Sequence, residues 1–85
     1  MQYPNKGYMT VVDIDGVQKT VKLEPMNLRL NQIQEKLKGY FQIIPHTESV
    51  VFLVDENAIN KNLPENSFFK GFYGNVCVIN LIDLQ

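Results

Sequence analysis

Asp55 and Glu56, followed by Asn57, Asn60, Asn62 and Asn66, form the densest group of oxygen-bearing side chains in the sequence. Carboxylates and amides gathered this closely can hold a hard cation or the hydroxyls of a nucleotide sugar, which makes Asp55, Glu56, Asn57 and Asn66 the candidate ligand-binding residues. The spacing and glycine of a helix-loop-helix calcium site are missing, and asparagines also favour turns through local hydrogen bonds, so no metal site is assigned. His46 lies close to Glu48, a pairing that could serve as a general base with an orienting carboxylate, with Thr47 or Cys77 as nucleophile. Cys77, however, sits in an apolar run, where an unpaired thiol behaves as a small buried hydrophobe. No catalytic residue and no cofactor is therefore assigned. A third group, Phe68, Phe69, Phe72 and Tyr73 around Lys70 and Gly71, could stack the bases of a single strand. Eight basic against nine acidic residues remove the electrostatic half of such binding. So many rings in a short segment exceed what one small core encloses, and the four aromatics are expected at a homo-oligomeric interface.

These groups must be carried by very few elements. Eighty-five residues, 45% hydrophobic and 20% charged, describe one small domain spanning residues 1–85. A single cysteine excludes an internal disulfide framework, and a single histidine leaves few ways to build a zinc site. The stretch Met1 to Thr10 has neither the apolar centre of a signal peptide nor arginine richness, and no apolar run approaches the ~20 residues of a membrane span. A cytoplasmic protein without a membrane partner is expected.

Asp15-Gly16 predicts a two-residue hairpin turn that pairs Ile14 with Val17, Val12 with Lys19, Thr10 with Val21 and Tyr8 with Leu23. That register puts Tyr8, Thr10 and Val12 on the core side and Met9 and Val11 on the wet side. After Pro25, Asn27 caps a predicted helix over residues 27–38, with Leu30, Ile33 and Leu37 at helical spacing and Gly39 as its stop. A helix this short needs a sheet to lie on. Tyr40–Ile44 and Ser49–Val54 read as a second hairpin whose continuous apolar second strand is covered on both faces. Asp55, Glu56 and Asn57 end that strand, asparagines and Pro64 make residues 58–67 an irregular connection, and Val76–Leu81 reads as the last strand. The expected fold class is α+β: an antiparallel sheet of about five strands, with one main helix, about residues 27–38, packed on one face.

The succession Leu30, Ile33, Gln34, Leu37, Gly39, Tyr40 and Pro45, then Asp55 and Glu56, then Leu63, Pro64 and Asn66, then Gly74 before a final strand, resembles domain of unknown function 3846, a family of phages and mobile elements. The likeness covers roughly residues 28–81. Lys38 stands where the family has the first glycine of a pair. The resemblance implies a small phage or prophage accessory protein acting in its host's cytoplasm, and no defined activity. The expected function is a non-enzymatic binding module for a host protein or a small nucleotide-like ligand. Two alternatives remain: a small hydrolase or metal-dependent enzyme, and a single-stranded nucleic-acid accessory factor.

Overall fold

Five strands and one helix account for the regular structure of the computed structural model, which describes residues 1–85. The strands are β1 (Tyr8–Val12), β2 (Gln18–Lys22), β3 (Phe41–Pro45), β4 (Val50–Asp55) and β5 (Val76–Asn80); α1 spans Met26–Leu37, and a 3-10 helix follows at Leu81–Leu84. All neighbouring strands run antiparallel, in the order β2-β1-β5-β4-β3. The last strand thus enters between the two hairpins and welds them into one sheet. This is the expected α+β architecture, and no helix is long and apolar enough to cross a membrane.

Both faces of the sheet are covered, which explains why β4 is apolar without alternation and buried at every position. On one face Ile33 and Leu37 of α1 meet Met9, Val51, Leu53, Cys77 and Ile79. On the other, Val50, Phe52, Val54, Val76 and Val78 are covered by Phe69 and Phe72 from the long connection between β4 and β5. The molecule therefore has two cores, one under a helix and one under a loop.

The first hairpin differs from expectation by one residue. The pairs are Met9 with Val21, Thr10 with Thr20 and Val11 with Lys19. The cause is Asp13. Its backbone N–H donates to the Val17 carbonyl at 3.0 Å, its carbonyl accepts from Gly16 N–H at 2.9 Å, and its carboxylate accepts from Val17 N–H at 3.0 Å. The turn therefore encloses three residues, with Gly16 in the left-handed region at φ 87°, where glycine carries no Cβ penalty. Met9 and Val11, expected to be wet, consequently join the helix-side core, and Met9 is fully buried. Thr10 and Val12 turn to the loop-covered face, where they are buried as well.

The helix also has different ends. Pro25, not Asn27, occupies the N-cap position, and no side chain caps it. Instead Gln32 accepts from Glu24 N–H and donates to the Lys22 carbonyl, both at 2.9 Å, while Arg29 donates to the carbonyls of Glu24 and Asp83 at 3.0 and 2.7 Å. These side chains fasten the helix to the end of β2 and to the 3-10 helix. At the other end Lys38, not Gly39, takes the left-handed conformation at φ 61°. Gly39 is needed for space: a Cβ there would stand 2.5 Å from the Lys61 ammonium and 2.8 Å from the Asp55 carboxylate.

Candidate functional site

Asp55 closes β4 and is nearly inaccessible. One carboxylate oxygen accepts from the Asn57 N–H at 2.8 Å, and the other meets the Lys61 ammonium at 2.6 Å. A buried carboxylate requires such partners, because an unpaired charge in the interior costs several kcal/mol. Lys61 also donates to the Lys38 carbonyl at 3.2 Å, joining the end of the helix to the loop. The carboxylate with the best position in the expected ligand group is therefore engaged within the fold.

Asn66 is engaged still more completely. It is fully buried, and its two amide N–H groups are shared among the carbonyls of Val12, Asp13 and Gly74, which lie 3.2, 3.0 and 3.0 Å from the nitrogen. Its amide oxygen accepts from the N–H groups of Phe68 and Phe69, each at 2.9 Å. An amide offers two donors and two lone pairs, so nothing is left over for a ligand. Asn66 is the pin that fixes the aromatic segment to β1.

Phe69 and Phe72 pack on Phe52, with ring centroids 5.0 and 5.7 Å away. They cover the sheet and are only partly accessible, whereas Phe68 and Tyr73 face solvent. The four aromatics expected together at an interface thus divide into two that roof a core and two that remain outside.

What the structure does bring together is a cleft between the turn after β4 and the segment before β5. Ile44, Val54, Ala58 and Ile59 form one wall and Gly71, Phe72 and Tyr73 the other, with Asp55, Glu56 and Asn60 at the rim, around a cavity of about 470 Å³. It joins members of both expected groups: Asp55 and Glu56 from the oxygen-rich turn, Phe72 and Tyr73 from the aromatic segment. Ile59, not singled out from the sequence, is the most exposed large hydrophobe of the protein at 74%. Its signal was an isoleucine inside a polar turn. Asn57 is exposed beside this cleft but does not line it. Glu65 stands behind the far wall, accepting from Gly71 N–H at 2.8 Å. The lining carries carboxylates and no basic side chain, and the nearest cation in the turn, Lys61, is held by Asp55.

His46 and Cys77 lie on opposite faces of the sheet. The imidazole stacks on Phe52 at 4.6 Å and bonds to the Tyr3 hydroxyl, on the loop-covered face. Cys77 is buried in the helix-side core, and burial pushes its thiol up to about 12, against a smaller opposing effect of Lys36. The sheet itself stands between this base and this thiol. No protein-family model, curated protein or solved structure matches the chain.

Proposed function

We propose that the protein is a non-enzymatic binding module of the phage or mobile-element accessory kind, and that its cleft takes an apolar peptide segment flanked by a cationic side chain from a host protein. The observation that carries this reading is the composition of the cleft. Its walls are aliphatic and aromatic, its rim carries the exposed carboxylate of Glu56, and no basic group lines it. Apolar walls supply affinity by removing surface from water, and the few polar groups at the rim set orientation. Glu56 at the rim favours a lysine or arginine on the ligand and disfavours phosphate, so a protein segment fits better than a nucleotide. The context of a mobile element rests on the resemblance to domain of unknown function 3846.

The test is a peptide array in which an aliphatic or aromatic residue is scanned against neighbouring lysine, arginine and glutamate. Peptides pairing an apolar anchor with a basic neighbour should bind, and in a nuclear magnetic resonance titration they should shift Ile59 and Tyr73. Glu56→Lys should invert the charge preference while leaving the melting temperature close to that of the parent, since Glu56 is exposed. Turnover of ATP or another nucleotide by the parent protein would overturn the proposal. So would a titration in which nucleotides shift the cleft and the peptides do not.

A further inference from the structure

The sheet has two edges, and their chemistry differs. β2 is fringed by Lys19 and Lys22, the charged kind of edge that resists pairing with another strand. β3, with the sequence FQIIP, carries no charge at all. Its inner side is settled by two hydrogen bonds: Glu56 N–H donates to the Tyr40 carbonyl and His46 N–H to the Val50 carbonyl. Bonded pairs alternate along an antiparallel ladder, so Gln42 and Ile44 also face β4, and the N–H and C=O groups of Phe41 and Ile43 point outward. Beside this open edge the helix leaves Leu30 53% exposed and the strand leaves Ile43 47% exposed, and the two line one apolar groove with Met26 and Phe41.

We infer that β3 is the dimerisation edge, and that its occupant is β3 of a second copy of this chain, added antiparallel about a two-fold axis through Gln42. Pro45 selects this register. With Gln42 opposite Gln42 of the second copy, Phe41 and Ile43 of each strand exchange both N–H···O=C bonds with Ile43 and Phe41 of the other, and every outward group of the two residues is paired. A shift that sets Ile43 opposite itself would bring the Phe41 carbonyl against Pro45, which has no N–H to offer. The chosen register also stacks Phe41 on Ile43 of the second copy on the helix side, with the exposed Leu30 of each copy alongside. The ten-stranded sheet then ends on its two lysine-fringed β2 edges, which stops growth at two copies. One short strand and a few side chains per copy make a small contact, at or below the ~1,200 Å² low end of stable interfaces, so the dimer should dissociate on dilution. The inference is independent of what the cleft binds.

Sedimentation equilibrium over a micromolar-to-millimolar concentration series should show a reversible monomer-dimer equilibrium. Ile43→Lys, at an exposed position, should weaken it at least tenfold, and Gln18→Lys on the opposite edge should leave it unchanged. Gln42→Cys should give an oxidised covalent dimer, because residues facing each other in a non-bonded antiparallel pair stand close enough for a disulfide, and Cys77 is buried away from the edge. Amide exchange reads the contact directly: Phe41 and Ile43 should gain protection with concentration, while Gln42 should be protected throughout. A monomer at every concentration with freely exchanging Phe41 and Ile43 amides would overturn the inference. A dimer that survives Ile43→Lys and is lost on Phe68→Ser would overturn it too, placing the contact at the aromatic segment. Protection of these amides only on adding an unrelated extended peptide would identify that peptide, not a second copy, as the occupant.

Discussion

The two faces of the sheet are buried equally well but held by different means. On the helix side, aliphatic residues from four strands meet one amphipathic helix, and its cover is a hydrogen-bonded unit in its own right. On the loop side, Phe69 and Phe72 cover the valines and Phe52 from a segment with almost no regular structure. A helix satisfies its own backbone wherever it is laid down. A loop does not, so the burial of its groups demands partners beyond a regular backbone ladder. Asn66, within the loop, serves three of its backbone groups from one side chain and ties the segment to the Val12 and Asp13 carbonyls. The helix-side core is therefore an apolar packing problem, and the loop-side core depends on one buried amide.

The largest effect should come from breaking that amide. Asn66→Ala takes this partner from the Val12 and Gly74 carbonyls and from the Phe68 and Phe69 N–H groups, while the Asp13 carbonyl keeps the Gly16 N–H; at ~1 kcal/mol each the loss should reach about 4 kcal/mol, a large share of the stability of a domain this small. Chemical denaturation would measure the loss. Amide exchange would locate it: protection should fall across residues 66–74 and persist in α1. Equal loss of protection on both faces would mean that the two cores are one cooperative unit and that the distinction is false.

Ile33→Ala removes a side chain fully buried against the other face, and a cavity of that size costs about 3 kcal/mol. Here the opposite pattern is expected. Protection should fall in α1 while the bonds of Asn66 hold the loop in place, and the difference between the two variants measures how independently the two covers can open.

The helix-side core was the more legible of the two in the sequence, because periodicity is a local signal. Ile33 and Leu37 announce a helix face, and the unbroken run Val50–Val54 announces a strand covered twice. What escaped was decided by partners far along the chain. The turn at Asp15-Gly16 depends on a carboxylate just before it, at Asp13, which captures Val17 and adds a residue to the loop. Gly39 reads as a helix stop, yet it makes room for Asp55 and Lys61. Asn66 reads as one more turn asparagine, and only the arrival of Val12, Asp13 and Gly74 around it makes it a pin. The aromatics were judged against the capacity of one core, whereas a sheet covered on both faces has two, and Phe69 and Phe72 go into the second. Ile59 and Tyr73 then remain for the cleft.

The smallest perturbation of stability gives the sharpest reading of the comparison. Cys77 on the helix side and a cysteine placed at Val78 on the loop side are neighbours in β5, both completely buried, with nearly the same volume in the core. Val78→Cys should cost no more than about 1.5 kcal/mol, as a close match in volume. Each thiol can be alkylated only when its own cover lifts, so the two rates report two opening equilibria in one strand. With Cys77→Ala as background for the loop-side probe, the thiol at position 78 should react faster, because a loop pinned at one amide opens without unfolding the helix. The pH dependence supplies a control for the helix side. Burial raises the Cys77 thiol to about 12, so the folded chain keeps a proton that the unfolded chain releases above its ordinary value near 9. The associated stability is fully present below pH 9 and is lost as pH climbs toward 12, with a steeper decline in the parent than in Cys77→Ala. Equal alkylation rates at both positions would show instead that the helix and the loop lift together.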